Sequence, residues 1–378
     1  MEALAVCTPG LESVLDEELA ALGIRRRRIT KGGVSLRAST RELYAANVWS
    51  RTASRLLVRI GRFRATGFRD LEREIAAMDW SPWLAEGTGV RLRVSSGSSR
   101  LHHTGAIAER IERALGVDDV RERGIDDDAT AQAFVVRVRR DVVTISVDAS
   151  GDNLHQRGWR LAIAKAPLRE TLAAAMVLAS GWRGDRPLLD PMCGSGTIAI
   201  EAALLAQGRA PGANRSFAFQ RWPSFEPGTW ASVRAEVQRA EEGSRGLDGA
   251  AARIVATDRD AGAIRAATAN AERAGVADRV KIERASVAES IAAHVSTHTD
   301  GGPGLLLSNP PYGARVGGTD LRDLYATIGR AAEWDVGLLV ADRALAGHTK
   351  LTFEERFRTS NGGIPVTLLE HPATRARR

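Results

Sequence analysis

Asn309, Pro310, Pro311 and Tyr312 directly follow a run of apolar residues, in the stretch LLLSNPPYGARV. The two prolines fix the backbone φ angle and prevent a helix, so oxygen atoms of Asn309 and Pro310 are held at the end of a predicted strand. Two such acceptors can bind both hydrogens of one amino group and turn its nitrogen towards a reaction partner. Tyr312 can stack on a base that has left its own stack. The motif indicates chemistry on the exocyclic amine of guanine or adenine, and the alternative is a strand-end turn with an incidental tyrosine.

A second candidate site is the glycine-rich turn in LLDPMCGSGTIAIEAA, between a predicted strand and a predicted helix. Such a turn lets backbone N–H groups and the N-terminus of the helix face a ligand. The turn also satisfies the dinucleotide pattern G-x-G-x-x-A, so a nicotinamide enzyme is one alternative. The candidate cofactor-binding residues of this stretch are Asp190, Pro191, Cys193, Gly194, Ser195, Gly196 and Thr197.

Two acidic residues favour S-adenosylmethionine over a dinucleotide. The acid of a dinucleotide fingerprint is expected ~20 residues after the glycines, whereas Asp258, at the end of the next predicted strand, follows Gly196 by 62 residues. Asp190 lies directly before the turn, where a carboxylate would crowd a pyrophosphate. The same carboxylate suits a ligand that carries an amino group and a sulfonium, and S-adenosylmethionine carries both.

Positive charge is concentrated in the first part of the chain. The net charge is +7, and residues 25–69 hold thirteen Lys or Arg against one acid, Glu42. Such an excess attracts phosphates, so nucleic acid is a candidate partner, with a solvated basic face as the alternative.

The overall composition limits the class of protein and its cellular compartment. The chain is 44% hydrophobic and 26% charged, as in ordinary globular proteins. No apolar stretch reaches the ~18 residues of a membrane span, and the first residues lack the basic segment of a signal peptide. Cys7 and Cys193 are too few for a disulfide framework or a zinc site. We therefore expect a cytoplasmic protein with no membrane contact and no metal.

The elements that must position these residues form two halves. Residues 1–63 have the β-α-β-β-α-β order of a ferredoxin-like unit, a second α+β block covers residues 64–150, and residues 151–165 form a polar linker. From residue 166 to 378 strands and helices alternate, which predicts a doubly wound, mostly parallel α/β sheet with an antiparallel C-terminal strand.

One segment of the second half is longer than a βα unit needs. Residues 208–253 hold five of the nineteen aromatic residues of the chain. We expect an insertion that buries its own small aromatic cluster.

The motifs, taken in order, resemble those of THUMP-domain class I methyltransferases that make N2-methylguanosine in large-subunit rRNA or tRNA. The resemblance covers essentially all 378 residues. It rests on CTPGLESVLDEELAALG, SRLHHTGAIAERIERAL, DASGDNLHQRGWR, APLRETLAAAM, DPMCGSGT and NPPYG. It implies a seven-stranded methyltransferase sheet, a THUMP-like RNA-binding domain over residues 64–150, S-adenosylmethionine as cofactor and structured RNA as substrate.

The resemblance also implies roles for single residues. Asp190, Gly194, Gly196 and Thr197 would hold the methionine end of the cofactor, and Asp258 its ribose hydroxyls. The remaining cofactor contacts would come from Pro167, Leu168, Arg259, Asn309 and Ser286, of which Ser286 stands where the family has an aspartate that accepts from the adenine amine. The target base would be held by Asn309, Pro310, Pro311 and Tyr312. RNA would contact Arg26, Arg27, Arg62, Arg64, Arg100 and His103.

Two other functions stay open on the sequence. Methylation of the N6 amine of adenine in RNA or DNA uses the same chemistry, because NPPY serves either amine. An RNA-binding assembly factor with weak catalysis is the other alternative, and Ser286 is the residue that leaves it open.

Overall fold

A computed structural model describes residues 1–116, 131–161, 168–244, 254–295, 302–312 and 321–373. The N-terminal half forms one seven-stranded sheet with the order β2-β3-β1-β4-β7-β6-β5. Its strands are β1 (Glu2–Val6), β2 (Arg27–Thr30), β3 (Gly33–Arg37), β4 (Arg55–Arg64), β5 (Val90–Gly97), β6 (Gln132–Arg139) and β7 (Val142–Asp148). Its helices are α1 (Glu12–Ala21), α2 (Thr40–Trp49), α3 (Phe68–Ala76) and α4 (Thr104–Leu115). The β-α-β-β-α-β order of the ferredoxin-like unit is confirmed.

Strand β4 joins the two α+β blocks into this single sheet. It pairs antiparallel with β1 on one side and with β7 on the other. The boundary expected between residues 63 and 64 therefore lies inside a strand, and the division into a ferredoxin-like and a THUMP-like domain stays a prediction.

The second half is a doubly wound sheet with the order β10-β9-β8-β11-β12-β14-β13. Its strands are β8 (Leu188–Asp190), β9 (Ile254–Asp258), β10 (Val280–Arg284), β11 (Leu305–Ser308), β12 (Asp335–Val340), β13 (Glu354–Asn361) and β14 (Ile364–His371). Its helices are α5 (Glu170–Ala179), α6 (Thr197–Ala206), α7 (Pro227–Ser244), α8 (Ala261–Ala274), α9 (Val287–His294), α10 (Leu321–Ile328) and α11 (Arg343–Ala346). Neighbours from β10 to β12 run parallel, and β14 pairs antiparallel with β12 and β13. The predicted seven-stranded, mostly parallel sheet is confirmed.

The five aromatic residues of the insertion pack on one another, as expected, and the cluster also bridges the two halves of the protein. The Phe219 ring stacks on Tyr44 of α2, with ring centroids 4.1 Å apart. Trp222 packs edge-on against Trp83 and donates its indole N–H to Gln132 Oε1 at 2.8 Å. Tyr44 and Gln132 lie far away in sequence, so the composition of the insertion alone could not reveal them.

The linker is also fixed to both halves. Arg157 donates Nε to Glu201 Oε1 of α6 at 2.7 Å and Nη2 to the Arg51 carbonyl at 2.6 Å. The Arg157 and Glu201 side chains are 1% and 0% exposed. One hydrophobic core contains buried residues from both halves, from Ala3 to Leu368. The halves therefore pack as one body in the described part of the chain.

None of the helices in the described residues is long and apolar enough to cross a membrane.

Candidate active site

The candidate site lies where the carboxyl ends of β8, β9 and β11 meet. Strand β8 pairs in parallel with both β9 and β11, which is the place where the strand order reverses. Ligands of open α/β sheets bind in the crevice outside such a switch point. Asp190 ends β8, Asp258 ends β9, and Asn309 follows β11. The structure thus brings together the three polar residues that the sequence placed in separate motifs.

Asp190 is a buried carboxyl group with two donors. It is 1% exposed, and its Oδ1 accepts from the Ser308 hydroxyl at 2.7 Å and from the Met192 N–H at 3.2 Å. The pKa of Asp190 is raised to about 7, chiefly by burial and in smaller part by the Asp258 charge, while the two hydrogen bonds oppose the shift. A cationic ligand group beside this carboxyl would favour its ionised form.

The glycine turn has a backbone that requires glycine. Gly194 and Gly196 have φ angles of +53° and +83°. A Cβ at Gly196 would lie 3.1 Å from the Ala267 Cβ on α8, so the turn packs closely on that helix. The Cys193 N–H donates to the Thr257 carbonyl at 2.9 Å, which ties the turn to β9.

Asp258 organises the same turn. Its Oδ2 accepts from the Gly194 N–H at 3.0 Å, and its Oδ1 accepts from the Asp260 N–H at 2.9 Å. A carboxylate has about four lone-pair sites, so both oxygens keep capacity for further donors such as ribose hydroxyls. Arg259 is exposed and its carbonyl accepts from Arg284 Nε at 3.0 Å.

Asn270 is a residue of this site that the sequence analysis missed. It lies on α8 with 0% exposure, and its Nδ2 donates to the Ser195 carbonyl at 3.1 Å. Its Oδ1 accepts from Arg273, which donates Nε to the Trp159 carbonyl of the linker at 2.9 Å. A buried amide needs partners, so one asparagine within the alanine-rich stretch AGAIRAATANAERAG was the available signal.

Ser286 has a structural role in addition to the predicted contact with adenine. It is the N-cap of α9, where its hydroxyl accepts from the Glu289 N–H at 3.3 Å and donates to Glu289 Oε2 at 2.8 Å. This capping box leaves one lone pair of the hydroxyl oxygen for another donor. The contact with the cofactor stays a prediction.

Asn309 and Tyr312 contact each other. The Tyr312 hydroxyl donates to Asn309 Oδ1, and Asn361 Nδ2 lies 3.5 Å from the same hydroxyl. Burial raises the pKa of Tyr312 to about 12, so the phenol is neutral and can donate at physiological pH. Asn361, which the sequence analysis did not single out, ends β13 beside the site.

The other predicted cofactor residues lie in different surroundings, and their contacts with the cofactor stay predictions. Leu168 is buried two residues before the start of α5, and its carbonyl accepts from Arg160 Nη1 at 2.7 Å. Pro167 lies outside the described residues. Burial, together with the charges of Asp190 and Asp258, raises the pKa of Cys193 well above its usual value, so this buried thiol stays protonated.

The predicted RNA-binding residues separate into two groups. Five of them have exposed side chains, namely Arg26, Arg62, Arg64, Arg100 and His103. Arg27 differs, because its Nε lies 3.0 Å from Asp16 Oδ1 of α1 and its Nη1 donates to the Ile24 carbonyl at 2.9 Å. Arg27 thus fastens α1 to β2 on the face of the sheet that the helix covers.

Fold and site together define a methyltransferase, and comparison with known families makes this specific. The model of the RMKL-like methyltransferase domain matches residues 157–362, and the model of the RlmL ferredoxin-like domain matches residues 2–57. Since the first match spans more than half of the chain, the protein belongs to the RMKL-like methyltransferase family.

Solved structures of similar proteins agree with this assignment. SMU.472, described as a proposed methyltransferase in complex with SAH, is 27% identical with a TM-score of 0.84, and the match covers 100% of this chain and 99% of that chain. A protein from Listeria monocytogenes, described as a predicted N6-adenine-specific DNA methylase, is 30% identical with a TM-score of 0.81 and coverages of 99% and 96%. TrmN from Thermus thermophilus has the same fold at 22% identity, with a TM-score of 0.72 and coverages of 99% and 99%.

These matches establish S-adenosylmethionine as the cofactor, since SAH is what remains after its methyl group has left. The residues at the switch point fit that molecule. Asp190 can accept from the amino group, the turn at Gly194 and Gly196 leaves room for close approach of a ligand, and Asp258 can accept from the ribose.

Proposed function

We propose that the protein transfers a methyl group from S-adenosylmethionine to the exocyclic N2 amine of a guanosine in structured RNA, with large-subunit rRNA as the first candidate and tRNA as the second. One observation carries the proposal. Ser308 donates to Asp190, the carboxyl assigned to the cofactor, and the next residue is Asn309, the acceptor assigned to the amine. Both reactants would thus be held side by side, the cofactor by Asp190 at the end of β8 and the amine by Asn309 after the neighbouring strand β11.

S-adenosylmethionine supplies an electrophilic methyl group, and the protein supplies orientation. The lone pair of a base amine is delocalised into the ring, so the amine must be turned before it can attack. The Asn309 side chain and the Pro310 carbonyl accept its two hydrogens. An amide oxygen has two lone pairs, so Asn309 Oδ1 can accept from the base and from the Tyr312 hydroxyl together.

Tyr312 serves as the stacking surface for the flipped base in this proposal. Its ring is partly buried against the core, so its orientation is fixed before the base arrives. Pre-organisation of this kind contributes a large part of a rate enhancement without a strong general base.

The N-terminal half holds the RNA in this proposal, over residues 1–63 and the THUMP-like residues 64–150. The charge bias of residues 25–69 supports this division of labour. The half is fastened to the methyltransferase sheet through Arg157 and the aromatic insertion, so RNA bound there has a fixed position relative to Asn309.

Methylation of adenine N6 is the second candidate, because the Listeria protein carries that description at 30% identity. A transfer assay with purified protein and labelled S-adenosylmethionine, offering rRNA, tRNA and DNA separately, tests both. We expect label in RNA, recovered as N2-methylguanosine. Label in adenine or in DNA would overturn the guanine assignment. Saturable cofactor binding without any transfer would favour the assembly factor.

A further inference from the structure

The first sheet has one face that the core covers and one that is exposed. Ala3, Ala5 and Val58 belong to the core of α1 and α2, and Val136 and Ile145 to that of α3 and α4. The residues between them in each strand lie on the opposite side, which we call the outer face. Registers place Arg59 opposite Ser146, Arg62 opposite Thr144, and Arg137 also opposite Thr144, all on this outer face.

The outer face is strongly basic. Eight exposed arginines lie on it, on or beside four strands (β2, β3, β4 and β6) that together span six neighbouring strands of the sheet: Arg26, Arg28, Arg37, Arg59, Arg62, Arg64, Arg137 and Arg139. Within the seven strands, all of which the structure describes, Glu2 is the single exposed acid of this face, and it contacts Arg59 at 2.5 Å and Arg37 at 3.7 Å. The remaining arginines give the face a large positive charge.

A β-bulge in β4 brings part of this charge together. The pairing of β4 with β7 shifts between Arg59 and Gly61, so one extra residue separates the two registers. Arg59 and Arg62, which are three residues apart, therefore point to the same side, whereas regular alternation would place them on opposite sides. Two grooves of about 650 and 610 Å³ cross the face, and Arg59, Arg62 and Thr144 line both of them.

The face lacks the groups that bind single strands or membranes. The two phenylalanines of the strands, Phe63 and Phe134, pair with Val143 and Val147 on the covered side, so no aromatic residue of the seven strands faces outwards. Single-stranded nucleic acids are bound through aromatic stacking, which this face cannot offer. No exposed large apolar side chain of these strands lies on it either, because Ile29 pairs with Val34 of the covered side. Insertion into a bilayer surface depends on such side chains.

We propose that the outer face docks the phosphate backbone of double-helical RNA. The arginines extend over five strand spacings of ~4.8 Å, or roughly 24 Å, which is enough to contact several phosphates. A guanidinium group binds phosphate in a bidentate manner, and phosphate contacts position a duplex without reading its sequence. The inference rests on the proposed function, since it states how the RNA substrate is held, and it adds that a helical segment of the substrate lies apart from the flipped base.

The test uses the full-length protein with Arg62→Glu and Arg137→Glu combined. The control combines Arg239→Glu and Arg330→Glu, two exposed arginines of the methyltransferase half, so both variants change the charge equally. Binding is measured for an RNA hairpin with a stem of about 16 base pairs, for polyuridine of equal length, and for vesicles of phosphatidylcholine and phosphatidylserine. Each measurement is repeated over a range of salt concentrations.

We expect the outer-face variant to bind the hairpin about tenfold more weakly or worse, with a plot of log affinity against log salt that is shallower by roughly 1.5–2 units. The control should bind the hairpin as the wild type does, and S-adenosylmethionine affinity should be unchanged in both. Equal losses in the two variants, tighter binding of polyuridine than of the hairpin, or a loss confined to vesicles would each overturn the inference.

Normal methylation by the outer-face variant with unchanged hairpin affinity would refute the inference and leave the proposed function standing. If the wild-type protein methylates only DNA but the outer-face variant has lost hairpin binding, the proposed function is refuted and the docking face still stands.

Discussion

Ser308 connects the two parts of the candidate site at the scale of single residues. Its hydroxyl donates to Asp190 at 2.7 Å, and Asn309 follows it in the chain. The sequence predicted Asp190, Asp258 and Asn309 because each stands at the end of an apolar strand. It could not predict Asn361, whose partner Tyr312 lies 49 positions away, since such a contact exists only once two distant strands have been placed in one sheet.

Asn309→Ala should abolish most methyl transfer and leave cofactor binding almost intact. Removal of one oriented polar contact to a reacting group costs about 10²–10³ in kcat, and the glycine turn, to which we assign the cofactor, makes no contact that depends on Asn309. Single-turnover kinetics and calorimetry with S-adenosylmethionine measure the two effects. Tyr312→Phe is the matched control, since it keeps the ring and loses only the donor to Asn309. Weakened cofactor binding with normal turnover at saturation would refute the role of Asn309.

Asp190 should make cofactor affinity depend on pH. The pKa of Asp190 is raised to about 7 by burial, so in the ligand-free protein the carboxyl is mostly protonated below pH 7 and ionised above it. A cationic amino group binds the ionised form, and affinity for S-adenosylmethionine should therefore rise by about an order of magnitude between pH 6 and pH 8. Calorimetry across this range measures it. Asp190→Asn should bind weakly at every pH, and a flat profile for the wild type would exclude the assignment to the amino group.

The stability of the ligand-free protein supplies an independent check on the same pKa. A carboxyl whose folded pKa lies above its unfolded value of about 3.9 stabilises the fold fully below that value. This contribution is lost as pH rises through the folded pKa of about 7. Thermal melts without cofactor should show the loss in the wild type, and Asp190→Asn should lack it.

At the scale of elements, helix α8 holds the glycine turn in place. Asn270 joins the Ser195 carbonyl of the turn to Arg273, and Arg273 binds the Trp159 carbonyl of the linker. The alternation of strands and helices could be predicted from the sequence, because the spacing of apolar residues and the length of each element depend only on residues that are close in sequence. The bridge made by Phe219 and Trp222 was not, because their partners Tyr44 and Gln132 belong to the N-terminal half, far away in sequence.

Asn270→Ala should weaken cofactor binding through the turn. The substitution leaves the buried Ser195 carbonyl without this donor, which costs about 1–3 kcal/mol. We expect the dissociation constant of S-adenosylmethionine to rise about tenfold, with kcat at saturating cofactor within a few-fold of the wild type. Glu272→Ala, on the exposed side of the same helix, should change neither value. An Asn270→Ala protein with normal affinity and reduced kcat would show that α8 does not act through the turn.

At the scale of the whole molecule, the two sheets share one core and one buried charge network. Glu201 of α6 binds Arg157 at 2.7 Å and lies 3.9 Å from Arg51 of the N-terminal half. Burial lowers the pKa of Arg51 to about 10, which still leaves the guanidinium charged at neutral pH. The N-terminal half and the methyltransferase half should therefore unfold together.

Glu201→Leu should destabilise the entire protein. The change leaves Arg51 and Arg157 as buried cations without their counter-ion, and breaking a buried pair in this way costs about 3–5 kcal/mol. Differential scanning calorimetry should give a single transition for the wild type and a single, lower transition for the variant. Glu109→Gln, in the exposed pair with Arg113, should lose no more than about 0.5 kcal/mol. Two separate transitions in the wild type would contradict the shared core.

The most direct test of the central claim is the nucleoside content of RNA from cells that lack this protein. Mass spectrometry of digested rRNA and tRNA is compared between the deletion strain, the strain complemented with the wild-type chain, and the strain complemented with Asn309→Ala. The account predicts that one N2-methylguanosine disappears from one RNA pool, returns with the wild type, and stays absent with the variant. Unchanged N2-methylguanosine together with a loss of N6-methyladenosine would contradict it.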